Sequence, residues 1–367
     1  MSINQNKSAK NLYFMRLALS QAQKNLGNTN ENPSVGCIIT KEDNVISADS
    51  TALGGIPHAE HKAIQNSKKD IKGARLYVTL EPCSHYGKTQ PCTDFIIKNK
   101  IREVCYALTD LDIRSKDKSK NILNSRNILV NKDICLKEAK IFYRSYIKSH
   151  SSLLPFVTCK IAVSKDYYTI NKKNKWITNE FSRARAHLIR SKHECIISSY
   201  KTILSDNSRL TCRIPGLEKR SPSRIILDKN LNISLTSNII KESKNYQTII
   251  FYNKINKKKI QLLRNKKVKL IRLSTYVNKN FNLKEVLVKV KTLGFKRVLI
   301  EAGLNLTSSF LNDNLVDDFN LFVSNKNLGK NGKNNIKKNL NLFLKNVDFF
   351  TEKVNLFGEK LLIYRLK

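Results

Sequence analysis

Two short stretches carry most of the chemistry in this sequence. One is PHAE, Pro57 to Glu60, and the other is EPCSHYGKTQPC, Glu81 to Cys92. One imidazole and two thiols make a good donor set for Zn²⁺, and three protein ligands leave a fourth position open. Water in that position has its pKa lowered towards ~7. Glu60 follows His58 by two residues at the start of an expected helix. It can stand beside the metal without ligating it and move a proton between water and a leaving amine. Cys92 is expected at a helix N-terminus, which favours a thiolate. Two Pro-Cys pairs with a His-x-Glu are a poor fit to buried core thiols, the plain alternative. A structural zinc would want a fourth ligand, for which His61 and His85 are the candidates; His61 reads as a solvated helix residue. Cys37 and Cys105 lie on apolar strands and read as core.

His-x-Glu followed by Pro-Cys is the arrangement of the zinc deaminases. The spacing departs from their short form. Nucleic-acid and nucleoside deaminases have two residues between the cysteines, whereas eight, SHYGKTQP, stand here. That insert brings His85 and Lys88 near the site, groups that a phosphorylated small substrate would need. The alternative for Lys88 is an ordinary solvated loop lysine.

The elements that must position these groups alternate between helix and strand. Residues 13–24 predict a helix with an apolar face of Met15, Leu17, Ala18, Leu19 and Ala22. Residues 34–40 predict a buried strand, with a partner at 45–48. Pro57 opens a predicted helix through AEHKAIQNSKK. Residues 75–80 alternate as a strand with Leu76, Val78 and Leu80 on one face, residues 92–100 predict a helix, and 103–108 another strand. A boundary is expected within KSHSSLLPF, Lys148 to Phe156, after a helix rich in lysine and aromatics. Beyond it, strands are predicted at 156–164, 194–198, 223–228, 248–252, 296–301 and 318–324. Helices are predicted at 181–192, with Arg and His outward, at 283–293 and at 305–315. Residues 325–341 read as a polar loop, and 354–366 as a hairpin around Gly358. No internal repeat is visible. The class is α/β in two domains, 1–150 and 151–367, consistent with a 367-residue chain exceeding the ~250–300 residues of one core.

Composition bounds the partners. Lys and Arg number 67 against 29 Asp and Glu, a formal charge of +38. Such a surface collects phosphates, but the excess has no focus and is mostly Lys, where a recognition surface would use more Arg. It is read as drift, with attraction of small anions as a side effect, and nucleic acid is not expected as a partner. The eight Cys form no disulfide framework, no signal peptide precedes them, and no apolar run reaches the ~20 residues of a bilayer span. The expectation is a cytoplasmic protein with reduced thiols and no membrane contact; a homo-oligomer is compatible with the sequence.

The residues also resemble a known family. NPSVGC (Asn32 to Cys37), PHAE and VTLEPCSHYGKTQPC are similar to the deaminase half of the bacterial bifunctional riboflavin-biosynthesis deaminase/reductases. KIAVSKD (Lys160 to Asp166), KWIT (Lys175 to Thr178), His187 to Arg213, RIILD (Arg224 to Asp228) and IEAGLNLTSSFL (Ile300 to Leu311) are similar to the reductase half. The resemblance implies a cytidine-deaminase-like domain followed by a dihydrofolate-reductase-like domain. It implies His58, Cys83 and Cys92 as zinc ligands, Glu60 as proton shuttle, and Asn32, His85 and Lys88 as substrate contacts. It places NADPH near Ala162, Trp176, Thr202, Asp206 and the turn Gly303, Leu304, Asn305, Leu306, Thr307, Ser308 and Ser309. It places substrate near Asn174, Arg190, Leu210, Arg213 and Glu301. Gly303 before a helix offers N–H groups to a phosphate, and Arg190 and Arg213 suit a phosphoribosyl phosphate. Trp176, the single Trp, either flanks the cofactor or fills a core.

The implied substrate is 2,5-diamino-6-(5-phosphoribosylamino)pyrimidin-4-one, deaminated in the first domain and reduced by NADPH to a ribityl amine in the second. Two departures bear on the reductase. Tyr167 stands where the family has Gly after Ser-x-Asp, and Asp206-Asn207-Ser208 replaces Asp-Asp-Pro. The rival readings are a deaminase of RNA or DNA, a zinc-stabilised nucleic-acid-binding module, and a deaminase with a silent reductase half.

Overall fold

The computed structural model describes residues 3–275, 280–345 and 347–367. They fall into two compact units, Met1–Ser151 and Ser152–Lys367.

The first unit contains α1 (Ile3–Ala22), β1 (Gly36–Lys41), β2 (Asn44–Ser50), α2 (Ala59–Gln65), β3 (Arg75–Val78), α3 (Cys92–Lys98), β4 (Glu103–Tyr106), α4 (Ser119–Asn124), β5 (Leu129–Asn131), α5 (Leu136–Phe142) and α6 (Arg144–Ser151). Its sheet runs β2-β1-β3-β4-β5. β1 pairs antiparallel with β2 and β3, while β3, β4 and β5 are parallel. β1, β3 and β4 are the interior strands of this sheet and carry helices on their faces, which is why their residues are almost all buried. Cys37 and Cys105 are core residues, as expected. Helix α1 lies so close to β1 that a Cβ on Gly36 would stand 1.9 Å from the Ala18 carbonyl oxygen, so only glycine fits the crossing.

Helix α2 is shorter than predicted. Pro57 lies before it, and Asn66 ends it, returning its N–H to Lys62 and its side-chain amide to Asp49 at 2.7 Å. That local competition for hydrogen bonds stops the helix before Lys68 and Lys69.

The second unit contains β6 (Phe156–Val163), β7 (Tyr168–Asn171), α7 (Glu180–Arg190), β8 (Cys195–Ser199), α8 (Tyr200–Asp206), β9 (Ser223–Leu227), α9 (Asn238–Lys241), β10 (Thr248–Tyr252), α10 (Lys257–Asn265), β11 (Lys269–Arg272), α11 (Leu283–Thr292), β12 (Arg297–Ile300), α12 (Leu304–Asn312), β13 (Asp318–Val323), β14 (Gly332–Asn335), α13 (Lys337–Leu344), β15 (Phe349–Thr351) and β16 (Lys360–Arg365). Nine strands form one sheet in the order β11-β10-β9-β8-β12-β6-β13-β16-β15, parallel from β11 to β13 and antiparallel at β16 and β15; β14 and β7 make a separate pair.

Two sequence expectations fail here. Residues 325–341, read as a loop, hold β14 and much of α13. Ile336 and Leu340, four apart, are buried in the core of this unit, so two apolar residues outweigh a polar surround. The terminal hairpin is real, but its first arm is β15 rather than Val354 to Phe357. Glu352 N–H bonds the Leu361 carbonyl, and residues 353–359 form the connection, with Gly358 at φ 85°. No helix among the described residues is long and apolar enough to cross a membrane.

Candidate active sites

In the first unit, β3 and β4 end side by side and their chains turn away into loops. Sheets of parallel strands place ligand sites at these carboxyl ends. The β3 loop carries Glu81, Pro82 and Cys83; the β4 loop carries Asp110 to Lys118, and Ser119 opens α4. His58 is the N-cap residue of α2 and Cys92 is the first residue of α3. His58 Nδ1 stands 3.3 Å from Cys92 Sγ and 3.6 Å from Cys83 Sγ, and all three donor atoms lie within 4.8 Å of one another. Donors of a tetrahedral zinc site stand roughly 3.5 Å apart, so the residues fit the ion. Among the described residues no fourth His, Cys, Asp or Glu joins the group. His85 is not part of it. His61, expected to be solvated, is buried and stacked on Phe95 with ring centroids 4.4 Å apart.

The electrostatics suit the assignment. A hydrogen bond with Cys92 and then the neighbouring His58 hold the Cys83 thiol well below its ordinary range, to about 4. Cys92 N–H also donates to Cys83 Sγ at 3.3 Å. Burial and the nearby Cys83 push the Cys92 thiol up; two adjacent thiolates repel until a cation joins them. Glu60 is buried, and burial raises its carboxyl to about 7.

The remaining first-unit candidates sit on loops. Asn32 donates its amide N–H to the Gly55 carbonyl at 2.9 Å, which leaves its amide oxygen to accept. Gly55 has φ 95°, and an added Cβ would meet the Thr29 carbonyl oxygen at 2.4 Å and the Asn32 amide nitrogen at 3.2 Å. Gly55→Ala is therefore expected to cost about 1–3 kcal/mol of first-unit stability and to displace Asn32. Deaminase kcat/KM should fall at least about tenfold, one lost hydrogen bond to a polar substrate; unchanged kinetics would mean Asn32 does not touch substrate. His85 is half-buried and Lys88 exposed. Sequence reading missed Glu81 and Asp110. Both are buried acids just beyond strand ends, and that position was the available signal.

In the second unit, β8, β12 and β6 are neighbours, and the segments just beyond β8 and β12 converge. Glu301, directly after β12, forms a two-pronged pair with Arg190: Nε to Oε1 and Nη2 to Oε2, both 2.8 Å. Arg190 Nη1 donates to the Thr211 carbonyl at 3.0 Å. Arg190 and His187 thus turn inward, against the expectation that the Arg and His of this helix face outward, and Arg190 is largely engaged by Glu301 rather than free for a phosphate. Lys160, on β6, lies 4.0 Å from Glu301. Sequence reading missed it, since nothing marks one lysine among so many. Arg213 is exposed, and its backbone N–H reaches His187 Nδ1 at 3.2 Å. The Leu210 side chain is buried in a core cluster at φ 56°, so that side chain does not face a ligand. Asn174 is exposed on the loop after β7, its N–H on Asn171 Oδ1 at 3.3 Å.

Seven cofactor candidates, Gly303 to Ser309, make up the N-cap and first turns of α12, and Thr202 meets Gly303. Gly303 is its N-cap residue, with no side-chain cap; its N–H donates to Thr202 Oγ1 at 3.1 Å. Ser308 Oγ is buried without a partner. A nine-residue helix with an uncapped N-terminus and an orphaned hydroxyl fits a phosphate group. Leu304 to Ser309 form its first turns. Asp206 is exposed at the end of α8, and Ala162 is half-buried on β6. Trp176 is 53% exposed, which excludes the core alternative, and the Arg183 guanidinium lies 4.9 Å from its ring centroid.

Both departures sit at left-handed backbone: Tyr167 at φ 66° and Asn207 at φ 45°. Asn tolerates this region, and its Oδ1 accepts from Asn238 N–H at 2.9 Å. Tyr pays about 1–2 kcal/mol there, offset by packing on the core and by Lys337 over its ring at 5.9 Å. Tyr167→Gly is accordingly expected to move the melting temperature by no more than a few degrees, measured by calorimetry.

Comparison with known proteins covers both units. The RibD C-terminal domain matches residues 155–356, and the cytidine and deoxycytidylate deaminase zinc-binding region matches residues 8–108. The riboflavin biosynthesis protein RibD of Aquifex aeolicus is 34% identical over 319 residues, 86% of this chain and 87% of that protein. RibD of Chlamydia trachomatis is 33% identical over 88% of this chain and 86% of its own. Among solved structures, a diaminohydroxyphosphoribosylaminopyrimidine deaminase/5-amino-6-(5-phosphoribosylamino)uracil reductase of Thermotoga maritima is 28% identical, with TM-score 0.81 over 98% of this chain and 99% of that one. Acinetobacter baumannii RibD gives the same score and coverage at 27% identity.

Proposed function

The chain belongs to the RibD family, the bifunctional deaminase/reductases of riboflavin biosynthesis, and from that premise we propose which of its residues carry each half of the chemistry. It is an enzyme of riboflavin biosynthesis that joins a zinc-dependent deaminase to an NADPH-dependent reductase. The residue assignments rest on one observation above others: His58, Cys83 and Cys92 converge with a buried Glu60 beside them and no fourth described ligand.

In the deaminase, residues 1–150 in our division, those three side chains hold the zinc. When bound, Zn²⁺ supplies the Lewis acidity that makes water nucleophilic at neutral pH. Glu60 takes a proton from the attacking water and gives it to the amine that leaves the pyrimidine ring as ammonia. Its burial keeps the carboxyl near neutrality in proton affinity, as a two-way shuttle requires. Asn32 accepts from the ring through its free amide oxygen, and His85 and Lys88 hold the phosphate of the ribosyl chain.

In the reductase, residues 151–367, Gly303 and the first turns of α12 receive a cofactor phosphate, with Thr202 bracing Gly303; Asp206 and Ala162 are further cofactor contacts in this reading. NADPH, when bound, supplies hydride to C1 of the ribosyl chain. Trp176 covers the cofactor, while Asn174, the Leu210 backbone and Arg213 contact the substrate. Arg190 holds Glu301 towards it. The dispersed positive charge serves attraction of this anionic substrate rather than polynucleotide binding, and we place the enzyme in the cytoplasm.

One preparation should release ammonia from 2,5-diamino-6-(5-phosphoribosylamino)pyrimidin-4-one and oxidise NADPH with the deaminated product. Chelation should abolish the first activity and spare the second. Ammonia release that survives removal of all zinc would refute the ligand assignment.

A further inference from the structure

Resting on the reading that His85 holds the substrate phosphate, we propose that Ser115 is a positioning residue of the deaminase, fixing the His85 imidazole from a loop that Glu81 anchors.

Ser115 lies in the β4 loop and is fully buried. Its Oγ meets His85 Nδ1 at 2.8 Å and accepts Ser84 N–H at 3.3 Å. One hydroxyl thus ties down both the backbone and the ring of the metal loop just after Cys83. With Nδ1 engaged, the imidazole presents only Nε2 outward. That atom faces Gly87, where an added Cβ would lie 3.8 Å from it, next to Lys88 in sequence. A free histidine on an eight-residue insert would sample several rotamers; an anchored one has lost that freedom before substrate arrives, which lowers the entropy cost of binding.

The loop that carries Ser115 is itself held by one carboxylate. Glu81, immediately before Pro82 and Cys83, is buried and accepts four hydrogen bonds: Asp110 N–H at 3.2 Å, Asp117 N–H at 3.1 Å, Ser119 N–H at 3.2 Å and Ser119 Oγ–H at 2.8 Å. These donors span residues 110–119, so both ends of the Ser115 loop close on a residue two positions before a zinc ligand. Metal geometry and substrate-end geometry are thereby set from one point.

The test is a double-mutant cycle on the full-length zinc enzyme, with Ser115→Ala, His85→Ala and the pair, following KM and kcat for the phosphorylated pyrimidine and zinc content. Each single change is expected to raise KM about tenfold, with kcat within about threefold and zinc unchanged. The pair should raise KM no further than His85→Ala alone, because Ser115 acts only through that ring. Glu81→Gln should raise KM in the same way, since the Gln oxygen can accept only part of what the carboxylate accepts. If His85→Ala leaves KM unchanged, the phosphate reading of His85 fails. If it raises KM while Ser115→Ala does not, or if the two effects multiply in the pair, the positioning role fails. Loss of zinc or of kcat in Ser115→Ala would make Ser115 structural and would overturn the proposal equally.

Discussion

Replacing Glu60 by Gln is expected to lower ammonia release by about 10³-fold while zinc stays bound and NADPH oxidation is unchanged. The magnitude is that of a lost general acid–base group, about 10²–10⁴-fold. Gln keeps the shape of the side chain and removes only its ability to take and give a proton. Zinc should remain because the proposed metal donors are His58, Cys83 and Cys92, and Glu60 is not part of that cluster. Cys83→Ser, by contrast, should lose metal and activity together. A second consequence follows from burial. Glu60 is desolvated beside the Cys83 sulfur, and both raise its carboxyl to about 7. A neutral amide avoids that cost, so Glu60→Gln should melt at a higher temperature than the parent in the metal-free state, a stability–activity exchange common at active sites. Metal analysis, an ammonia assay and calorimetry on one preparation check all three statements. Ammonia release within tenfold of the parent, with zinc present, would remove Glu60 from the mechanism.

The zinc constellation was legible in the sequence because its chemistry demands particular residue types close together along the chain. His58 and Glu60 share a helix start, and Cys83 and Cys92 flank one insert. The alternation of apolar strands and helices was legible for a similar reason: β1, β3, β4, β6, β8, β9 and β10 are buried on both faces and read as apolar runs. What escaped depends on long-range pairing. Strand β14, Gly-Lys-Asn-Asn, has no strand-forming residue and is held by pairing with β7, so its composition does not announce it. His61 looked solvated because nothing in a helical pattern reveals a stacking partner 34 residues away. Arg190 looked like a phosphate ligand because its partner Glu301, 111 residues on, becomes visible only in three dimensions. Glu81 and Ser115 were invisible for the opposite reason: hydroxyls and carboxylates are common in loops, and only their hydrogen bonds distinguish these two.

Removal of Glu301 should damage the reductase unit more than removal of Arg190. Glu301 is a buried carboxylate facing two cations, Arg190 at 2.8 Å and Lys160 at 4.0 Å. Glu301→Ala strands both of them in a poorly hydrated site, whereas Arg190→Ala leaves the carboxylate with Lys160. Breaking a buried pair by deleting one partner costs about 3–5 kcal/mol, and the Glu301 change should lie at the upper end of that range. The acid limb gives an independent check. Despite burial, the charges of Arg190 and Lys160 hold the Glu301 carboxyl at about 2, below the ordinary ~4.3. The folded state therefore binds this proton less readily than the unfolded chain, so the contribution is complete above ~4.3 and drains away as pH falls towards 2. His187 adds a step of the same sign at higher pH. Burial and then Arg190 lower it to about 4, so stability also declines as pH drops from ~6.5 to that value. The single Trp, Trp176, lies in this unit, and its fluorescence reports unfolding there without interference from the deaminase. The parent should lose stability across both windows, and Glu301→Ala only across the upper one. A variant whose acid limb below pH 4 matches the parent's would show that Glu301 is not held ionised by these two cations.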